Sequence, residues 1–308
     1  MACALLIVSA QAAAADKVVL QLRWVHQFQF AGYYAAQAQG YYAREGLDVE
    51  IRPAGPDRPT PLDEVVAGRA QYGVGNSGLV AAYEAGKPVV ALAAIFQRSP
   101  NIWLTREDRQ INSIPDLATR RLMMTATPEN AELLALFANE GIDPKKLDVV
   151  PSTFDLRDLV DGRVDAFNAY ATNEPFLLAR QGVRYRIFDP HDYGIDFYSD
   201  VLFTSQDELG AHPDRVAAFR RASLEGWRYA LDHPDEIIDL ILNRYGVDKT
   251  RAHLRFEADG VRTIMAPDLI AIGHMNPARW ERILATFERL GMAQASRPLD
   301  GFLYDPHP

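Results

Sequence analysis

VVALAAIF, residues 89–96, is an unbroken apolar run that stops at the polar pair Gln97 and Arg98. It is too short to span a bilayer. A run of this kind marks a strand of a parallel sheet buried on both faces, because helices cover both sides of such a sheet. The residues before it have the matching pattern. Gly75-Asn76-Ser77-Gly78 makes a turn that opens a helix through Tyr83 to Ala85, Gln71–Val74 reads as a strand and Leu62–Ala67 as a helix. Pro53–Pro61 holds four prolines and reads as a loop. Further back, Leu47–Arg52 is a strand, and Ala31–Glu45 is a helix in which Tyr34, Ala38 and Tyr41 recur at helical spacing until Gly46. The alternating VVLQLR at 18–23 is a first strand that delivers Trp24 to a loop.

After the run, the polar stretch TREDRQINSIPDLAT at 105–119 announces a new unit. Strands at 121–124, 147–150, 165–170 and 184–188 then alternate with helices at 130–140, 156–159 and 175–180. A strand at Ser199–Thr204 leads back to the first unit, followed by helices at 213–232, 234–245, 250–256 and 276–290, the last with Asn276 as N-cap and Pro277 in its first turn. The expectation is an α/β protein of two lobes, each a sheet flanked by helices, with two hinge crossings. Lobe 1 takes 16–104 plus 201–308 and lobe 2 takes 105–200. Ligands of such sheets sit outside the carboxyl ends of the strands. In lobe 1 that singles out the loops after Arg23, Val74 and Phe96.

The 308-residue length agrees with two cores rather than one. With a formal net charge of -9, five scattered lysines and no basic cluster, the chain offers nothing to neutralise phosphates, so nucleic acid is excluded as a partner. Residues 1–15, MACALLIVSAQAAAA, read as a shortened secretory signal with a cleavage site at Ala13-Ala14-Ala15. Its removal would take away Cys3, the single cysteine, leaving a mature chain suited to an oxidising, extracytoplasmic compartment.

Several stretches carry a family resemblance: LRWVHQFQFAGYYAAQAQGYYAREGLDVEI, VAGRAQYGVGNSGLVAAYEAGKPVVALAAIFQRSP, LVDGRVDAFNAYATNEPFLL, YGIDFYSDVLFTS and HPDRVAAFRRASLEGWRYALDHPDE. They resemble the branch of substrate-binding proteins that includes thiamine-pyrimidine-precursor binders, alkylsulfonate binders and the eukaryotic thiamine pyrimidine synthase. The resemblance implies a periplasmic-binding-protein type II fold. The implied role is capture of a small planar molecule, a pyrimidine-precursor-like heterocycle, in an interlobe cleft for uptake through a membrane permease of ABC type. HQFQFAGYYAA, IFQRSP, NEPF and GIDFY are also similar to sensor modules that precede histidine kinase or diguanylate cyclase output domains, which leaves sensing as an alternative. The synthase of this branch uses pyridoxal phosphate on a lysine, a histidine and a cysteine-rich stretch. Here Phe30 stands where that histidine is expected, the cysteine-rich stretch is missing and Lys87 lies in an AGKP turn. The expectation is therefore a monomeric binder with no cofactor and no catalytic activity.

The candidate ligand contacts follow from strand ends. Trp24 and Phe28, with Phe30 close by, offer aromatic faces for stacking a heterocycle or else fill the core. His26 has no second ligand at metal spacing and reads as a loop histidine. Asn76 and Ser77 either meet a polar ligand group or cap their helix. Phe96, Gln97 and Ser99 contact ligand or fix the first crossing, and Thr125, with Thr127 and Asn130, faces the cleft or caps a helix. Tyr170, Asn173 and Glu174 carry the strongest signal, since a strand ending in YATNEP places an acid at a helix start facing the other lobe, where it can accept from an aminopyrimidine amine. Asp196, Phe197 and Tyr198 lie at the second crossing and serve site or hinge.

Overall fold

The computed structural model describes residues 14–55, 59–125, 128–294 and 296–305. The expected leader lies outside these apart from Ala14 and Ala15, and so do Cys3 and Thr127. Among the described residues, ten strands form two five-stranded sheets. The first contains β1 (Asp16–Gln21), β2 (Leu47–Arg52), β3 (Tyr72–Gly75), β4 (Val89–Phe96) and β10 (Ser199–Ser205) in the order β2-β1-β3-β10-β4. The second contains β5 (Asn101–Arg106), β6 (Arg121–Met124), β7 (Asp148–Pro151), β8 (Ala166–Tyr170) and β9 (Tyr185–Phe188) in the order β7-β6-β8-β5-β9.

The two sheets share one plan. Three strands run parallel in each, β2-β1-β3 and β7-β6-β8, and a strand arriving from the other sheet pairs antiparallel beside them. The chain leaves the first sheet after Phe96 to become β5 and returns after Phe188 to become β10. The polypeptide thus crosses twice, as a hinge requires.

β4 is buried along its whole length, as its apolar run demands, but its ladder partner is the antiparallel β10 rather than a parallel strand. Its other edge is closed by the C-terminal segment: Ala91 N–H donates to the Phe302 carbonyl at 2.8 Å and Tyr304 N–H donates to the Ala91 carbonyl at 2.9 Å. Burial on both faces made the run apolar, and the direction of its partner left no mark on composition. β5 escaped the sequence pattern because Asn101 and Thr105 look like loop residues. Both are buried in the second sheet, which therefore opens four residues before the expected boundary at 105. The helix expected over 31–45 breaks at Gly40, whose φ of 72° is left-handed, giving helices Ala31–Ala38 and Tyr41–Arg44.

Helix Ala31–Ala38 holds the preceding loop, residues 22–30, against the sheet, and its own seat is the long helix Pro213–Asp232. The two approach through glycines. A Cβ on Gly226 would lie 2.2 Å from the Gly32 carbonyl oxygen, and one on Gly32 would lie 2.2 Å from Cγ of the buried Trp227. Alanine normally gains about 1 kcal/mol over glycine in a helix interior. Here the collision is with backbone, so Gly226→Ala is expected to lose about 2 kcal/mol of stability, the cost typical of overpacking. Urea unfolding checks this, and a variant more stable than the parent would show that the helices have room to part.

Candidate functional site

Between the two sheets lies a cleft of about 280 Å³. Its walls are the carboxyl ends of the parallel strands and the loops that follow: Arg23 and Trp24 after β1, Ala54 and Gly55 after β2, Thr125 after β6, Ser152 and Phe154 after β7, and Tyr170 at the end of β8. Trp24 and Phe154 come from opposite sheets, and their ring centroids are 5.1 Å apart at an interplanar angle of 44°. Phe154 is 43% exposed and holds a φ of 60°, a left-handed conformation unusual for a bulky residue. Ser152 Oγ supports it by accepting the Phe154 N–H at 3.1 Å.

The polar side of the cleft centres on Arg23. Its guanidinium donates to Ser199 Oγ at 3.2 Å, pairs with Glu129 at 3.3 Å and Asp200 at 3.9 Å, and lies 5.7 Å from the centre of the Tyr170 ring. Tyr170 Oη and Ser199 Oγ are 3.3 Å apart. Burial works against the Arg23 charge, but Tyr170, Glu129 and Asp200 outweigh it and hold its pKa above the ordinary value. Asp200 is 1% exposed and left-handed, with φ 46°, at the start of β10. Desolvation pushes its carboxyl up to about 6 in spite of Arg23, Gln29 and Ser199.

On the second-sheet side, Glu174 opens helix Glu174–Arg180. Its Oε2 accepts the Tyr170 N–H at 2.7 Å and its Oε1 accepts Asn173 Nδ2 at 2.5 Å. Desolvation raises its pKa above the ordinary carboxylate value, with these hydrogen bonds opposing. Asn173 Oδ1 accepts Lys249 Nζ at 2.5 Å, and the same ammonium pairs with Glu257 at 2.5 Å, whose other oxygen accepts the Phe28 N–H at 2.8 Å. Lys249 and Glu257 belong to the C-terminal helical region packed on the first sheet, so this chain of contacts ties the two halves together directly behind the cleft carboxylate. Phe176 stacking on His253 at 4.5 Å reinforces the tie.

The structure brings Trp24, Thr125, Asn130, Tyr170, Asn173 and Glu174 into one cavity wall. The remaining candidates lie elsewhere. Phe28, Phe30 and Phe96 are fully buried in the core of the first half, where Phe96 meets Trp227 edge-on. Asn76 accepts the Gly78 N–H at 2.9 Å and donates to the Glu129 carbonyl at 2.7 Å, which makes it a turn cap and an interlobe bridge. Ser77 donates to the Tyr198 carbonyl at 2.7 Å. Gln97 is spent on the carbonyls of Ala94 and His274, and Ser99 on Glu132. Asp196 pairs with Arg279 at 2.5 Å at the surface, the guanidinium covers Tyr198 at 3.8 Å, Tyr198 Oη accepts the Asn276 N–H at 3.0 Å, and Phe197 packs against Phe287. In each case a nearer partner within the fold takes the group that the strand-end rule had offered to a ligand. Of the two readings left open for Asn130, the structure has the cleft position and not the side-chain cap: its Nδ2 donates to the Thr125 carbonyl at 2.6 Å and its side chain makes no helix cap. His26 meets Tyr34 Oη at 2.9 Å.

Arg23, Gln27, Gln29, Phe154 and Asn168 were not anticipated, yet all line the cleft. Phe154 was within reach of the strand-end rule, since its loop follows β7. Arg23 is the immediate neighbour of Trp24. The glutamines carried no signal, because HQFQF reads equally as an ordinary helix approach.

Residues 27–237 match the family model described as NMT1/THI5 like. The chain belongs to that family. Two relatives are 27% identical to it. The formylaminopyrimidine-binding protein of Halalkalibacterium halodurans aligns over 74% of this chain and 71% of its own length. The riboflavin-binding protein RibY of Chloroflexus aurantiacus aligns over 74% and 66%. The alkanesulfonate-binding protein SsuA from Xanthomonas axonopodis pv. citri, solved with MOPS, superposes with a TM-score of 0.73 at 14% identity, covering 95% of this chain and 99% of that one. Such neighbours establish the periplasmic-binding-protein fold. The expectation that the chain has no catalytic activity is overturned as a family inference. Relatives at 24% and 23% identity, from Legionella pneumophila and Schizosaccharomyces pombe, are named 4-amino-5-hydroxymethyl-2-methylpyrimidine phosphate synthase. Proteins similar to this chain are named for synthesis as well as for binding, so similarity leaves its enzyme status open.

Asp200 offers a test of the polar network. Its folded carboxyl titrates at about 6 against an ordinary 3.8, so the folded chain holds this proton more tightly than the unfolded chain. Its contribution to stability is therefore complete below the ordinary value and is lost as pH rises through about 6. Asp200→Asn, which keeps the left-handed conformation accessible, is expected to flatten this part of the stability profile measured by denaturant unfolding. Parallel profiles for the two proteins across that interval would show that Asp200 does not titrate there.

Proposed function

We propose that the cleft captures a small planar heterocycle carrying amine or hydroxyl donors, and that the protein is an exported solute-binding component whose two lobes close on this ligand and release it to a membrane permease. In this reading the lobes are the halves built on the two sheets, and they hinge in the crossings at 97–100 and 189–198. The observation that carries it is a desolvated carboxylate, Glu174, lining the same small cavity as aromatic rings from both sheets, Trp24 and Phe154. Flat faces bind aromatic rings by stacking, and a carboxylate with unused lone pairs accepts from an exocyclic amine.

Size and charge favour this ligand class. A cavity of about 280 Å³ lies just below the roughly 300–1,000 Å³ typical of ligand pockets and suits a small ligand. Among the described residues that line it, Arg23 is the one cation, and Glu129 and Asp200 already partner it. With Glu129 and Glu174 in the wall, a donor-rich neutral or cationic ligand is preferred over a sulfonate. The relative named for formylaminopyrimidine binding supports the same class, and the periplasmic-binding-protein neighbours support export and handover to a permease.

Thermal-shift and calorimetric titration with 4-amino-5-hydroxymethyl-2-methylpyrimidine, riboflavin and MOPS test the proposal. The aminopyrimidine is expected to raise the unfolding midpoint, and MOPS is not. Glu174→Ala and Trp24→Ala should each weaken binding about tenfold or more, the scale of a lost charge-assisted hydrogen bond or aromatic contact, measured as the shift from each variant's own ligand-free midpoint, which is lowered for Glu174→Ala because the Tyr170 N–H loses its acceptor. Binding of MOPS with no response to the pyrimidine would defeat the reading.

A further inference from the structure

Gln27 and Gln29 line the cleft from the turn between Trp24 and helix Ala31–Ala38, and each is 4% exposed. Their amides form an oriented chain. An ionised carboxylate can only accept, so Asp200 draws the nitrogen end of Gln29, whose Nε2 donates to Oδ1 at 2.6 Å. Gln29 Oε1 is thereby turned toward its neighbour, and Gln27 Nε2 donates to it at 2.5 Å. That fixes the second amide as well, and leaves Gln27 Oε1 as a buried oxygen with no hydrogen-bond partner among the described residues. Asn173, on the opposite side of the cleft, is the contrast: its amide is used at both ends, by Glu174 and by Lys249. Buried polar atoms in folded proteins are nearly always satisfied, so an orphan on a residue that lines a ligand-sized cavity points to a missing donor.

We propose that Gln27 Oε1 is the first-lobe acceptor for an N–H or O–H group of the ligand, held in place by Gln29 and Asp200, so that the site selects molecules with donors toward both lobes. This rests on the reading of the cleft as a heterocycle site and adds the rule by which it discriminates: one donor to Glu174 from the second lobe, another to Gln27 from the first. Gln27 is a binding residue in this account. Asp200, which does not line the cleft, is a positioning residue that acts through the amide chain.

The test is a cycle of protein and ligand changes. Calorimetry compares 4-amino-5-hydroxymethyl-2-methylpyrimidine with its analogues lacking the amine or the hydroxyl, on the parent protein and on Gln27→Met, which keeps the length of the side chain and removes the acceptor. One of the two analogues is expected to bind the parent tenfold or more weakly than the full molecule, and to lose that penalty on Gln27→Met, while the other analogue's penalty persists. Such coupling would not follow from a general loosening of the site. Equal penalties on both proteins overturn the role of Gln27 and leave the heterocycle reading standing. Failure of the parent to bind any of the three overturns both. If Gln27→Met does not unfold cooperatively, the same cycle on Gln29→Met, which frees the Gln27 amide to turn, is expected to show the same loss of coupling, and full retention of the penalty there overturns the proposal.

Discussion

A single guanidinium holds the seam of this molecule. Arg23 leaves the end of the first strand and touches a hinge-strand serine, an acid buried beside it, an acid from the other half and the face of Tyr170. A buried charge is tolerable only where it is paired and hydrogen-bonded, so these partners have to stay close together. They come from the strand that re-enters the first sheet and from the half built on the second sheet. Satisfying this cation draws the two sheets together on one side of the cleft, as the Asn76–Glu129 and Lys249–Asn173 contacts do elsewhere.

Around that seam the chain spends most of its polar groups on itself. Asn76 and Ser77 bridge or cap, Gln97 and Ser99 brace the first crossing, and Arg279 gathers Asp196 and the carbonyls of Gln97 and Phe197 at the second. Lys249 closes the opposite side by joining Asn173 to Glu257. Glu174, the aromatic pair and the Gln27 oxygen remain available to a ligand. The proposed preference for a donor-bearing ring rests on that remainder rather than on the fold, since sequence relatives and a structural neighbour of this chain are named for pyrimidine, riboflavin and sulfonate ligands.

Strand-end reasoning led to the wall of the cleft through Trp24 and through the YATNEP stretch, because a parallel sheet exposes its carboxyl ends to the cleft whatever the details of packing. It failed for Phe28, Phe96, Asp196 and Tyr198 because a loop position does not say where its side chain points. Phe28 and Phe96 turn into the first core, and Asp196 turns to Arg279. The same limit hid Gln27 and Gln29. Nothing local distinguishes them from other glutamines, and their meaning comes from Asp200, more than 170 positions later in the chain.

By itself, the sequence determined the α/β class, the alternation of elements, the return of the chain to its first half and the strand ends that form a cleft. These depend on hydrophobic period and turn chemistry, which are local properties of the chain. The tertiary structure alone decided that β4 pairs with an antiparallel strand, that β5 is a strand at all, and which polar side chains are free. Those outcomes depend on partners distant in sequence, and hydrogen-bond satisfaction is settled only when every donor and acceptor has its neighbours in place.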